Sequence, residues 1–194
     1  MKNKFIEKID YKVDLDRMLQ DLQYVESIAE WPDKRFIKNG REYHANQIGL
    51  NFREGAELPW YDANGSLYNK TEKSFLAREQ DFTEWNPVGA YTKTIIDQLS
   101  AQFNIKFGRI RYMKLLPKTG LSIHPDAEPR YHLALQTSPR ALFLDCTQEG
   151  DVMAKAYHIP ADGYFYKVNT LREHTVFNGG WDPRIHLVLS DITC

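Results

Sequence analysis

Three short segments bring together residue types that can do chemistry. The first reads Ile123-His124-Pro125-Asp126. In an extended chain His124 and Asp126 point to the same side, so an imidazole and a carboxylate can take neighbouring positions on one divalent metal. The second, Thr170-Leu-Arg-Glu-His174-Thr-Val-Phe-Asn178, offers another imidazole. Two histidines and a carboxylate on one side of a metal leave its opposite side open, as in non-haem Fe(II) oxygenases. The same donors suit a tetrahedral zinc hydrolase, so donor types alone leave the metal open. Blander readings stand beside both: a surface loop with a turn-forming Asp next to Pro, and a half-buried structural His174.

The third segment is Asn178-Gly-Gly-Trp-Asp182-Pro-Arg184-Ile-His186-Leu-Val-Leu-Ser190-Asp191. Its tight turn predicts a hairpin that returns Arg184 to the neighbourhood of His174. Ile185, Leu187 and Leu189 alternate with Arg184, His186, Val188 and Ser190, so Arg184 faces away from the Ile/Leu set. A guanidinium aimed into a barrel is costly unless an anion meets it. A dicarboxylate chelating the metal at its other end would supply that anion through a bidentate pair. The competing reading has Arg184 reaching solvent at a strand end or pairing with Asp182. Arg130 and His132 share a strand face in Arg130-Tyr-His-Leu-Ala-Leu-Gln136 and would complete an anion pocket opposite Arg184. An exposed Arg130 and a structural His132 are the alternative; His44, His158 and His186 are not counted as ligands.

The spacing His124-x-Asp126, then His174 forty-eight positions after Asp126, then Arg184 ten further on, resembles the signature of Fe(II)/2-oxoglutarate dioxygenases. The wording around it, Leu116-Pro-Lys-Thr-Gly-Leu-Ser-Ile-His124, Arg130-Tyr-His-Leu-Ala-Leu135 and His174-Thr-Val-Phe-Asn178, is similar to the aspartyl/asparaginyl β-hydroxylase family, whose broad group includes small proline hydroxylases. The resemblance covers residues 107–191. It implies a double-stranded β-helix, that is, a cupin-like jelly roll, with Fe(II) held at one mouth by His124, Asp126 and His174. It further implies that Arg184 receives the distal carboxylate of 2-oxoglutarate, and that Arg130 and His132 help hold its metal-proximal end. The implied activity uses O₂ to hydroxylate an amino acid or a peptide or protein side chain of Asp, Asn or Pro type, converting 2-oxoglutarate to succinate and CO₂. Two departures stand out: the animal β-hydroxylases carry Gly where this chain has Asp126, and Met113 occupies the place of a small hydroxyl residue near the distal carboxylate.

These residues need a scaffold, and the chain divides into a helix-bearing front, residues 1–104, and a strand-dense back, residues 105–194, within one domain. Asp14 can cap a helix whose stripe is Leu15, Met18, Leu19 and Leu22. Trp31-Pro32-Asp33 ends that region. A short strand fits Gln47–Phe52, and residues 53–87 are less regular. A second helix over 88–103 would bury Val88, Tyr91, Ile95, Leu99 and Phe103. Strands are expected at Phe107–Leu116, Arg130–Gln136, Ala141–Asp145, Tyr164–Val168, His174–Phe177 and Arg184–Ser190, separated by turns at 117–120, 138–139, 150–151, 162–163 and 178–180. Many short strands with flanking helices give a mainly β, α+β fold, and a jelly roll manages its edges.

Bulk properties narrow the classes. The 194 residues carry 25 Lys+Arg against 26 Asp+Glu, a net charge of −1, which removes the electrostatic case for a dedicated nucleic-acid binder. A 42% hydrophobic and 26% charged composition is that of a globular protein, and no apolar run approaches the ~20 residues of a membrane span. Met1-Lys-Asn-Lys-Phe-Ile-Glu-Lys lacks the apolar core of a secretory signal, and Cys146 and Cys194 are too few for a disulfide scaffold. A soluble cytoplasmic protein acting on a small-molecule or peptide substrate is expected. Two rivals from other classes are a zinc-dependent hydrolase or isomerase and a non-catalytic jelly-roll binding module. Hydrolysis has no need of a cation at Arg184, which speaks against the first.

Overall fold

The computed structural model describes residues 4–38, 41–69, 72–148, 150 and 153–193; Cys194 and Asp151 lie outside them. In chain order the principal elements are β1 (Ile6–Lys12), α1 (Leu15–Ile28), β2 (Gln47–Gly49), α2 (Ala90–Phe103), β3 (Phe107–Leu115), β4 (Thr119–Gly120), β5 (Arg130–Gln136), β6 (Ala141–Asp145), β7 (Lys155–Tyr157), β8 (Tyr164–Val168), β9 (His174–Asn178) and β10 (Arg184–Asp191). They form two compact units, one joining β1 to residues 114–191 and the other built from residues 16–113 with Ile192 and Thr193.

In the first unit β1, β8, β5 and β10 lie side by side, and β4, β9, β6 and β7 form a second four-stranded sheet. Every pairing within these sheets is antiparallel. Alternation sends one side of each strand inward, where Phe5, Ala134, Tyr166 and Val168 meet Phe143 and Val176 in one apolar core. This is the expected jelly roll. Strand β10 is buried along its whole length, on both faces.

The loop after β9 departs from expectation. It makes no hairpin: β9 pairs with β6 and β4, whereas β10 pairs with β5. The 179–183 turn carries the chain from one sheet to the other. Asn178 organises that crossing, with Nδ2 donating to the Leu115 and Asp182 carbonyls and Oδ1 accepting the Gly180 amide. Arg184 therefore reaches the interior from the sheet opposite His174, in the manner of jelly-roll connectivity. Strands β1, β4 and β7 lay outside the expected set. They are short or polar strands: β1 alternates imperfectly, Thr119-Gly120 has turn composition, and Lys155–Tyr157 is only three residues long.

In the second unit α1 buries Met18, Leu22 and Val25, close to its expected stripe. Helix α2 begins at Ala90 and buries Thr92, Ile95, Ile96 and Leu99. The expected face was wrong at its ends, since Val88 precedes the helix and Phe103 is exposed. Buried ion pairs stitch the irregular 53–87 stretch: Asp62 binds both Arg41 and Arg53, and Glu79 binds Arg109. Strands β2 and β3 pair antiparallel, Ile48 opposite Tyr112, and Met113 lies opposite Gln47. No helix among the described residues is long and apolar enough to cross a membrane.

Candidate metal centre

The segment before β5 runs extended beside the start of β9. His124 and His174 form an antiparallel bridge, each backbone amide donating to the other's carbonyl at 3.0 and 3.1 Å. The Asp126 amide then donates to the Thr170 carbonyl at 2.7 Å. Two separate chain segments are thereby locked in the one register that places His124, Asp126 and His174 together. One donor atom from each lies within 4.8 Å of the others. His124 Nε2 is 3.7 Å from Asp126 Oδ1, and His174 Nε2 is 3.6 Å from Asp126 Oδ2. These gaps exceed hydrogen-bond length.

The surroundings aim the donors. The Nδ1 of His124 lies 2.7 Å from the Ser122 carbonyl and that of His174 lies 2.9 Å from the Arg172 carbonyl. A carbonyl only accepts, so each ring carries its proton on Nδ1 and turns the Nε2 lone pair towards the carboxylate. Burial pushes the His174 imidazole below its ordinary range, against the opposing pull of the Arg172 carbonyl and Asp126, and so favours the neutral form that a metal requires. Arg130 donates to Asp126 Oδ1 at 2.5 Å, while the buried Oδ2 has no hydrogen-bond partner among the described residues. A buried carboxylate oxygen left bare is costly, and a cation shared with the two imidazoles would satisfy it. The donor set fits a divalent metal.

Arg184 is 6% exposed, which excludes the solvent-facing alternative, and the exposed Asp182 is not its partner. No carboxylate among the described residues pairs with it; its guanidinium lies 4.9 Å from the Phe143 ring centre and donates to His186. Burial alone pulls its pKa down to about 9. Arg130 adjoins the triad through Asp126, whereas His132 packs edge-on against Phe143 and 5.7 Å from the His186 ring. His158 is tied to the Ala141 carbonyl, away from ligand duty. Sequence reasoning left out Phe143, and it placed His186 on the face of Arg184 without giving it a role. His186 is two positions from Arg184, a spacing that on a strand places both on one face.

A family model described as Aspartyl/Asparaginyl beta-hydroxylase matches residues 28–192. The chain belongs to the aspartyl/asparaginyl β-hydroxylase family. Among solved structures, this family member is similar to a 2OG-Fe(II) oxygenase family oxidoreductase from Burkholderia pseudomallei, at 11% identity and a TM-score of 0.58 over 98% of this chain and 86% of that one. It is also similar to AviO1 from Streptomyces viridochromogenes, at 12% identity and a TM-score of 0.51 over 96% and 88% of the two chains. At such identities the likeness is one of fold. No curated protein matches the chain.

Proposed function

We propose that this β-hydroxylase family member is an Fe(II)- and 2-oxoglutarate-dependent dioxygenase that hydroxylates an amino acid or a peptide or protein side chain of Asp, Asn or Pro type. The observation that carries the reading is the convergence of His124, Asp126 and His174 on one point with both Nδ1 atoms tied back. Fe(II) with 2-oxoglutarate and O₂ supplies the oxidising chemistry, yielding succinate, CO₂ and a hydroxylated product. The protein supplies the rest. His124, Asp126 and His174 would hold the metal on one side and leave its other side to ligands. Arg130 fixes the Asp126 carboxylate, and with the buried His132 it would help hold the proximal end of the keto acid. Arg184 would bind the distal carboxylate inside a water-poor core, where a guanidinium–carboxylate pair is strong and directional.

A zinc hydrolase would use the same triad, but the buried guanidinium of Arg184, with no carboxylate partner among the described residues, favours an anionic cosubstrate. Anaerobic addition of Fe(II) and 2-oxoglutarate should produce a weak visible charge-transfer band, and exposure to air with panels of amino acids and peptides should release succinate. Tight zinc binding without that band would overturn the oxygenase reading, and no metal binding at all would leave a non-catalytic module.

A further inference from the structure

His186 follows Arg184 by two positions on β10 and is 1% exposed. Its Nδ1 lies 2.9 Å from Arg184 Nη2. A guanidinium only donates, so Nδ1 accepts, and the neutral ring carries its proton on Nε2. The ring cannot readily take a second proton, because burial first, and then the charges of Arg184 and His132, push it well below its ordinary range. Arg184 is thus held by a neutral acceptor and rests near the Phe143 ring, with no carboxylate among the described residues to neutralise it.

The type of acceptor matters. A carboxylate at this position would fix the guanidinium and also cancel its charge. An apolar side chain would leave the charge but release the orientation. An imidazole nitrogen orients one N–H and leaves the positive charge available. We infer that His186 is the positioning residue of Arg184, setting the guanidinium to receive the distal carboxylate of a keto diacid. This rests on the reading of the cavity as a 2-oxoglutarate site. It also assigns a diacid-selecting role to β10 itself, since orienting group and anion receptor stand on one strand face.

Calorimetric binding to the Mn(II)-loaded full chain without oxygen tests this through His186→Leu, His186→Asn and His186→Asp. 2-Oxoglutarate is compared with 2-oxobutanoate, a keto acid with no distal carboxylate. Losing the oriented hydrogen bond in His186→Leu should weaken 2-oxoglutarate about tenfold or more and leave 2-oxobutanoate and Mn(II) affinities unchanged. Asn can place its side-chain oxygen where Nδ1 stood and should recover affinity to within about threefold of the parent, whereas Asp should capture the guanidinium and weaken the diacid at least as much as Leu. Equal loss for both keto acids, or affinities for Asn and Asp that do not differ, overturns the inference while the site reading survives. The Asn–Asp comparison decides the matter even if the Leu variant fails to fold. A parent protein that binds Mn(II) but no 2-oxoglutarate overturns both readings.

Discussion

Arg130 and Asp126 are joined by a 2.5 Å hydrogen bond that occupies Oδ1 and leaves Oδ2 facing the Nε2 of His174 at 3.6 Å. The contact is four residues long in sequence and spans the bend between the His124–Asp126 segment and β5. It would decide which oxygen is presented to a metal held by the three side chains. Arg130→Ala should therefore weaken metal affinity by about 10–100-fold, the usual effect of removing the partner that orients a ligand. Calorimetry with Mn(II) reads this directly, and an unchanged affinity would mean that Asp126 needs no such guidance.

The triad itself makes a sharper prediction. His174→Ala or Asp126→Ala should abolish succinate formation, and each should erase the rise in Tm that saturating Mn(II) gives the parent, since only a bound folded state is stabilised by mass action. His124 has its side chain 35% exposed against 3% for His174. His124→Ala should accordingly leave apo stability within about 1 kcal/mol, while His174→Ala loses more because it also opens the interior. Full turnover by the His174 variant would remove it from the ligand set.

Arg184→Ala acts on a different step. With no carboxylate partner among the described residues to be orphaned, its removal should leave Mn(II) binding intact and raise KM for 2-oxoglutarate by about a hundredfold, within the range for losing one member of a buried charged pair. Steady-state kinetics at saturating Fe(II) separates that from a loss of kcat. A lower kcat with unchanged KM would place the guanidinium elsewhere in the cycle.

How far these features could be read beforehand follows from how local their causes are. That His124 and Asp126 come together was legible because His124-x-Asp126 needs only an extended backbone to share a face. The extended course of β10 was legible from its pattern, although the strand is buried along its whole length instead of alternating in burial. The crossing between sheets at 179–183 was not: Asn178-Gly-Gly announces a turn, but which sheet the chain enters next depends on the distant partners Arg140 and Leu115. Helix α2 misled because its buried face includes Thr92, whose hydroxyl is accommodated by Met18 and Tyr112 rather than by periodicity of apolar residues. The pairs Arg41–Asp62 and Glu79–Arg109 join residues 21 and 30 positions apart, and such partners leave no local pattern.

One of those non-local contacts involves a glycine. Gly89 precedes α2, where a Cβ would lie 1.8 Å from the Asp21 carboxyl carbon, and the same carboxylate accepts the Thr92 amide at 2.6 Å. Helix α1 thus caps α2, and only glycine leaves room for it. Asp21→Ala should cost about 1 kcal/mol, as cap removals do. Gly89→Ala should cost at least as much in the parent and nearly nothing in the Asp21→Ala background. Chemical denaturation of the double-mutant cycle measures this coupling, and simple additivity would show that cap and glycine act separately.

The Glu79–Arg109 pair ties part of the fold's stability to pH in the acid range. Burial by itself would raise the Glu79 carboxyl, but Arg109, bonded through Nε at 2.8 Å and Nη2 at 2.6 Å and through its backbone amide at 2.8 Å, overrides it and holds the value at about 2. A carboxyl that is more acidic when folded binds fewer protons in the native state than in the unfolded one. Its stabilisation is then complete above the ordinary value of 4.5 and fades as the pH falls towards 2. The span corresponds to about 3 kcal/mol. Glu79→Gln should flatten the pH dependence of unfolding between those limits. It should also destabilise at pH 7 by about 3–5 kcal/mol, because the buried guanidinium of Arg109 keeps its charge and loses its counter-ion. Urea denaturation of both proteins at pH 7, 4 and 3 gives the two slopes; parallel slopes would mean that other carboxylates govern acid unfolding.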